Sequence, residues 1–300
     1  MDKDIGWELY RSFLGVMQAG SLSGAARALG VAQPTVGRHV EALEQALGIA
    51  LFTRSQVGLM PTEAALALRV HAEAMGHAAA ALVRAAESQG EGVQGTVRIT
   101  ASEMMGVEVL PPIIARLQQD HPALKVELVP TNRLQDLLQR EADIAVRMTQ
   151  PRQDLLIARH VGAVELGLHA QQGYLDRRGV PASVDALAEH ALIGFDEETP
   201  FLRSLRGSLP AWQRDGFAVR SDSDLAHWAL IRAGAGIGVC QVALARREPT
   251  LVRVLPEVAL TLETWLTMHE DLRNSPRCRV TFDALLQGLQ AHIAGSSAAP

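Results

Sequence analysis

Apolar positions in the first part of the chain recur at helical spacing. Phe13, Val16 and Met17 give a first helix one apolar face, closed by Gly20. Ser21 stands where an N-cap belongs, ahead of a helix over Leu22–Leu29. Gly30-Val31-Ala32 reads as a short turn, and Val36, Val40, Leu43 and Leu47 form the buried stripe of a helix over Gln33–Leu47. Pro34 is tolerated because first-turn amides have no intrahelical partner to lose. Over residues 63–88, Leu68, Ala72, Met75, Ala79, Leu82 and Ala86 advance by four and three alternately, which is a heptad seam. Such a helix pairs with a second copy or lies on its own domain. Leu66, Val70, Ala80 and Val83 add apolar surface that favours pairing.

The texture changes at residues 89–95, where Gln89-Gly90-Glu91-Gly92-Val93-Gln94-Gly95 breaks every periodic pattern as a linker does. Beyond it, Thr96–Ala101 and Leu124–Val129 alternate with the period of a strand, and Leu110–Asp120 between them reads as a helix. Further strands are expected at Asp143–Met148, Glu165–Ala170, Leu192–Phe195, Phe217–Arg220 and Thr264–His269, and a last helix at about Pro276–Ile293. Strand-helix-strand units of this length imply a mainly parallel, helix-covered sheet. Residues 295–300 read as a frayed, flexible tail.

Composition narrows the class. At 300 residues, 48% hydrophobic and 20% charged, with mean hydropathy +0.08, the chain has room for two or three folding units. Its opening, Met1-Asp2-Lys3-Asp4, lacks the basic start of a secretory signal, and no run is long and apolar enough to span a bilayer. A cytoplasmic location and no membrane partner are expected. Cys240 and Cys278 lie far apart, without zinc or redox spacing, and read as buried free thiols. The net charge of −5 does not suggest nucleic acid, although a DNA reader needs only a local cationic face. Arg27, Arg38 and Arg54 face only Glu41 and Glu44 within the first segment.

The helix pair of residues 22–47 has the form of a helix-turn-helix, which places Gln33, Pro34, Thr35, Gly37 and Arg38 near the end that enters the major groove. Its continuation is more specific. Phe13, Gly20-Ser21, Ala25-Ala26, Leu29, Gln33-Pro34, Leu43-Glu44, Leu47-Gly48, Leu51-Phe52, Arg54 and Pro61-Thr62 follow one another without a gap. This run resembles the LysR-type transcriptional regulators. Gly37 stands where that family usually has serine, and Ala64-Ala65 where Ala-Gly is usual.

The resemblance implies an N-terminal all-α winged helix-turn-helix over 1–62, with Leu51-Phe52-Thr53-Arg54 opening the wing and Thr62 capping a dimerisation helix over 63–88. It also implies a linker over 89–95 and an effector-binding domain over 96–294 that resembles type 2 periplasmic binding proteins. That domain has two α/β lobes joined by crossing strands, lobe I at about 96–163 and 268–294 and lobe II at about 164–267. Expected DNA contacts are Ser21, Arg27, Gln33, Pro34, Thr35, Gly37, Arg38 and Arg54. Double-stranded DNA carrying an inverted repeat is the expected partner, read by a homodimer that assembles further into a homotetramer.

Ligands of open α/β sheets sit beyond the carboxyl ends of strands. That rule selects Ser102, Glu103 and Met104, then Asn132 and Arg133, then Arg147, with His169, Phe195 and Ser223 from lobe II. A small organic anion is the expected effector, since Arg133 and Arg147 offer paired donors to a carboxylate. Arg147 serves equally as a hinge residue bonding carbonyls, and Arg133 as plain surface. Glu103 would repel an anion unless paired.

Two other classes fit the sequence less well. Gly234-Ala235-Gly236-Ile237-Gly238 has the look of a nucleotide loop but follows a helix and precedes an apolar strand-like run, the reverse of a dinucleotide fingerprint. A transported-solute binding protein would share the second domain but not the first ninety or so residues. No enzyme activity and no cofactor are expected.

Overall fold

A computed structural model describes residues 5–55, 58–87, 92–132, 141–151, 156–198, 200–205, 207 and 209–297. The chain divides into two compact units, the first ending at Ala86 and the second beginning at Glu87.

In the first unit, α1 (Trp7–Ala19), α2 (Leu22–Leu29) and α3 (Gln33–Leu47) each end on a glycine in the left-handed conformation, Gly20, Gly30 and Gly48. Only a residue without Cβ turns the chain so sharply at no steric cost. The Ser21 hydroxyl accepts from the Gly24 amide at 3.1 Å, the expected cap. Val16, Ala25, Ala26, Val36 and Val40 close the core between the helices. The wing is a hairpin, β1 (Phe52–Ser55) with β2 (Gly58–Pro61), pairing Phe52 with Pro61 and Arg54 with Leu59. Glu44 anchors it to α3, its Oε1 accepting from the amides of Leu51 and Phe52 at 2.6 and 3.2 Å.

Helix α4 (Glu63–Glu87) starts on Thr62, whose hydroxyl oxygen accepts from the Ala65 amide at 3.2 Å. The expected seam divides. Leu68 and Ala72 pack with Phe13, Leu43 and Leu51 in the unit's own core. Met75 and Leu82 are exposed in the single chain, as is Ala86, and Ala79 is half-buried. The helix therefore lies on its own unit from Leu68 to Gly76, where a Cβ would stand 3.5 Å from Leu14 Cδ1, while Met75 and Leu82 stay exposed. The cause is size: a three-helix unit this small leaves Phe13 and Leu51 uncovered unless α4 lends them a face.

The second unit is built on a seven-stranded mixed sheet, ordered β10-β6-β11-β5-β3-β4 with β9 on β6. Its strands are β3 (Gly95–Ala101), β4 (Leu124–Pro130), β5 (Ile144–Arg147), β6 (Leu156–Gln171), β9 (Gly238–Gln241), β10 (Leu251–Arg253) and β11 (Leu260–His269). β3 lies parallel to both β4 and β5, and the connection from β3 to β4 carries a π-helical turn, Met105–Val109, and α5 (Leu110–Asp120). β6 and β11 run antiparallel and serve two cores, one around Ile99, Ile144 and Leu285 and the other around Leu168, Leu192 and Trp212. Their ladder is interrupted by a bulge between Thr264 and Trp265, opposite Gly162 at φ 145°. A bulge bends both strands together, and the two lobes meet there.

The second lobe adds a small parallel sheet, β7 (Leu192–Gly194) with β8 (Phe217–Arg220), with α6 (Gln172–Arg178), α7 (Pro200–Leu205), α8 (Asp224–Arg232) and α9 (Val242–Ala245). The glycine run after α8 serves close packing. A Cβ on Gly236 would stand 2.2 Å from the Ala191 carbonyl oxygen, while Ile237 exchanges backbone hydrogen bonds with Ala191 and Ile193 at 2.9 Å. The run leaves a helix and enters β9, as the sequence order implied. Helix α10 (Pro276–Ser297) covers the first core and continues through Ser297 into the stretch expected to fray. The buried Arg277 ties its start to β3, its Nε donating to the Thr96 carbonyl at 2.9 Å.

Candidate functional site

Two features bear on function, one in each unit. On the first, the start of α3 presents Gln33, Pro34 and Arg38 to solvent on one face, with Thr35 and Gly37 half-buried beside them. The opposite face of α3 holds the core through Val36, Val40 and Leu43. A Cβ on Gly37 would meet nothing closer than Leu22 Cδ1 at 3.8 Å, so the glycine leaves room that serine would fill. Arg27 is exposed in the last turn of α2, and neither it nor Arg38 has a side-chain partner among the described residues. Glu44 spends its carboxylate on the wing amides, which removes one of the two acids expected to oppose these arginines. The Arg54 backbone lies in β1, and its side chain falls outside the described residues.

On the second unit, a cavity of about 560 Å³ opens between the lobes. The ends of β3, β4 and β5 bring Ser102, Met104, Asn132 and Arg147 to it, and the second lobe brings Phe195. The Ser102 hydroxyl has no partner among the described residues. Arg147 bonds inward, Nη2 donating to the Thr100 hydroxyl at 2.7 Å and Nη1 to the Val146 carbonyl at 3.2 Å. That matches the hinge reading as well as the ligand reading.

Four expected residues stand differently. Arg133 lies outside the described residues. His169 is buried behind the wall, with Nδ1 3.0 Å from the Gly167 carbonyl and 3.3 Å from Cys240 Sγ, and burial pushes it down to about 4. β6 is paired on both sides there, with β9 and β10, and the imidazole near its end is turned into the wall rather than into the cavity. Glu103 and Ser223 do not line the cavity but form its rim. The Ser223 hydroxyl caps α8, accepting from Ala226, and donates to Glu103 across the lobes at 3.4 Å. Asn132 bridges the same gap, accepting from the Glu103 amide at 3.0 Å and donating to Asp224 at 3.1 Å.

Several lining residues escaped the strand-end rule: Trp212, Asp222, His227, Trp228, Cys240 and Gln241. His227 and Trp228 lie one helical turn beyond Ser223 and Asp224, so extending that helix by four residues would have found them. Trp212 left no signal, because a loop brings it in. Both cysteines are buried and free as expected, and burial pushes the Cys240 thiol up to about 12, so it is no ready nucleophile. Charge does not match the expected anion. The described lining residues include Glu197, Asp222 and Asp224 against one arginine, Arg147.

A winged helix-turn-helix joined to a two-lobed α/β cleft domain defines the class of the molecule. Family descriptions match both parts: the bacterial regulatory helix-turn-helix protein of the lysR family over residues 7–66, and the LysR substrate binding domain over residues 90–290. The regulator CrgA of Neisseria meningitidis serogroup B is 30% identical over 200 residues, a match spanning 67% of this chain and 64% of CrgA. The solved structure of CrgA, a LysR-type transcriptional regulator, aligns with a TM-score of 0.57 at 27% identity, covering 94% of this chain and 98% of that one. CbnR, a LysR-family regulator solved with its target DNA, shares the fold with a TM-score of 0.66 at 19% identity, covering 97% and 99%. The chain belongs to the LysR family of transcriptional regulators.

Proposed function

We propose that this chain binds double-stranded DNA through α3 and the wing, and that a small-molecule effector held between its lobes tunes that binding. The exposed start of α3 carries the reading: polar Gln33 and unpaired Arg38 stand on the face opposite the core, where a helix-turn-helix meets base edges. Ser21, Arg27, Thr35, Gly37 and Arg54 surround them as contacts that fix register on the phosphates. Residues 1–62 form the DNA-binding domain, 63–88 the pairing helix and 96–294 the effector domain. Pairing uses Met75, Ala79, Leu82 and Ala86 and matches an inverted repeat, and further contacts between dimers make a tetramer. The effector touches Ser102, Phe195 and the rim formed by Asn132 and Ser223. The protein acts in the cytoplasm as a regulator without catalytic activity of its own.

Fluorescence anisotropy with a labelled duplex from upstream of the gene, set against a random duplex, tests the reading. The upstream duplex should bind at least a thousandfold more tightly at physiological salt. Equal affinity for both would overturn it.

A further inference from the structure

We propose that the inter-lobe cleft takes a small organic cation, a primary amine on an aromatic body, with its ammonium at Asp224 and its ring against Phe195 and Trp212. The proposal rests on the cleft being the effector site and names the class of ligand it selects.

The cavity, about 560 Å³, suits a molecule of one ring and a short arm. Phe195, Trp212, Trp228, Leu166, Val239 and Leu262 line it, so most of the ligand must be apolar. The two ring walls are held rigidly, Phe195 edge-on to His227 at 4.5 Å and Trp212 edge-on to Phe217 at 5.5 Å. Aromatic faces also attract cations. Trp228 is buried, and its indole N–H has no acceptor among the described residues.

The charged groups then decide the sign. Arg147 already donates to Thr100 and Val146. Asp222 turns one oxygen to the amides of Asp196 and Glu197, at 3.0 and 2.8 Å, as a loop cap. Among the described residues the one hydrogen bond to the Asp224 side chain comes from the neutral amide of Asn132, with His227 near it and the Glu103 carboxylate facing it from the other lobe. Burial pushes the Asp224 carboxyl up, His227 and Asn132 pull it down, and Glu103 raises it further. A carboxylate desolvated beside a second one gains most from an arriving cation. An ammonium donates in three directions, enough to reach Asp224 and Glu103 together.

The test uses three probes with one ring and different heads: phenethylamine, 2-phenylethanol and 3-phenylpropionate. Each is titrated into the full chain by calorimetry and by tryptophan fluorescence. The amine should bind about ten- to a hundredfold more tightly than the alcohol, as loss of a charge-assisted hydrogen bond implies. Asp224→Asn should remove that advantage, with an unchanged circular dichroism spectrum and unchanged DNA binding showing that the variant is folded. Tighter binding of the propionate would overturn the cation and still leave the cleft as the effector site. Equal binding of all three, or binding of none, also overturns the cation, and DNA binding, measured separately, then decides the regulator reading alone.

Discussion

Arg38 and Arg54 sit at different places on one DNA-facing unit and should fail differently. Arg38 lies on the exposed start of α3, the end proposed to read the groove, so Arg38→Ala should weaken upstream DNA more than random duplex, by about 1–3 kcal/mol. Arg54 lies in the wing, so Arg54→Ala should weaken both alike and flatten the salt dependence by about one unit of slope. Anisotropy at several salt concentrations separates the two, and matching losses on both duplexes would remove the distinction. Buried histidines set the response to acid. Burial holds both His169 and His292 down at about 4, and His292 is fixed neutral, accepting from Arg247 at 3.1 Å and donating to Gln241 at 3.0 Å. In the unfolded chain both titrate near 6.5. Between those values the unfolded chain binds protons that the folded one does not, so stability is full above about 6.5 and declines toward about 4. The loss approaches roughly 3 kcal/mol per histidine. Urea midpoints should fall from pH 7 to pH 4.5, less steeply for His292→Gln, and a flat midpoint would contradict this. At this scale Ser102 and Phe195 were legible because strand ends announce themselves. His169 misled because the turn of its imidazole into the wall is invisible in the sequence.

Among elements, helices were read closely and crossing strands poorly. α2, α3 and α5 begin and end where their caps and prolines stand. β6 runs through Leu156–Gln171, but only Glu165–Ala170 was expected. Its first half carries exposed Ala158, Arg159 and His160 and changes cores at Val161, so no single alternation spans it. β10 is three residues long and leaves too short a pattern to read. In α4 the heptad spacing was legible, but its division between an inward and an outward half was not. Both halves have the same apolar period, and only the size of the neighbouring core decides. Met75 is 41% exposed and Leu82 71%, and these are the residues proposed above to pair with a second copy. Met75→Glu places carboxylates in that contact and should separate the pairs, which light scattering would register as a halved mass together with weaker upstream binding. An unchanged mass would mean this face stays unpaired.

Over the whole molecule, a net charge of −5 hides the DNA-binding character, because the few arginines of the first unit are lost among 28 cationic and 33 acidic groups. The fold class was legible from periodicity and a run of matched positions. The acidic lining of the cleft was not, since Glu197 and Asp222 come from loops and Asp224 from the first residue of α8, which no periodicity brings together. Coupling between cleft and DNA requires the ligand to favour one arrangement of the chain over another, and it begins with a protein that selects its DNA. Sequencing of the genomic fragments retained by the full chain at physiological salt tests that claim directly. The account predicts fragments concentrated upstream of genes, sharing a two-fold symmetric site with half-sites whole helical turns apart, and losing enrichment with Arg38→Ala. Fragments retained without any shared sequence, or retained equally by Arg38→Ala, would contradict it.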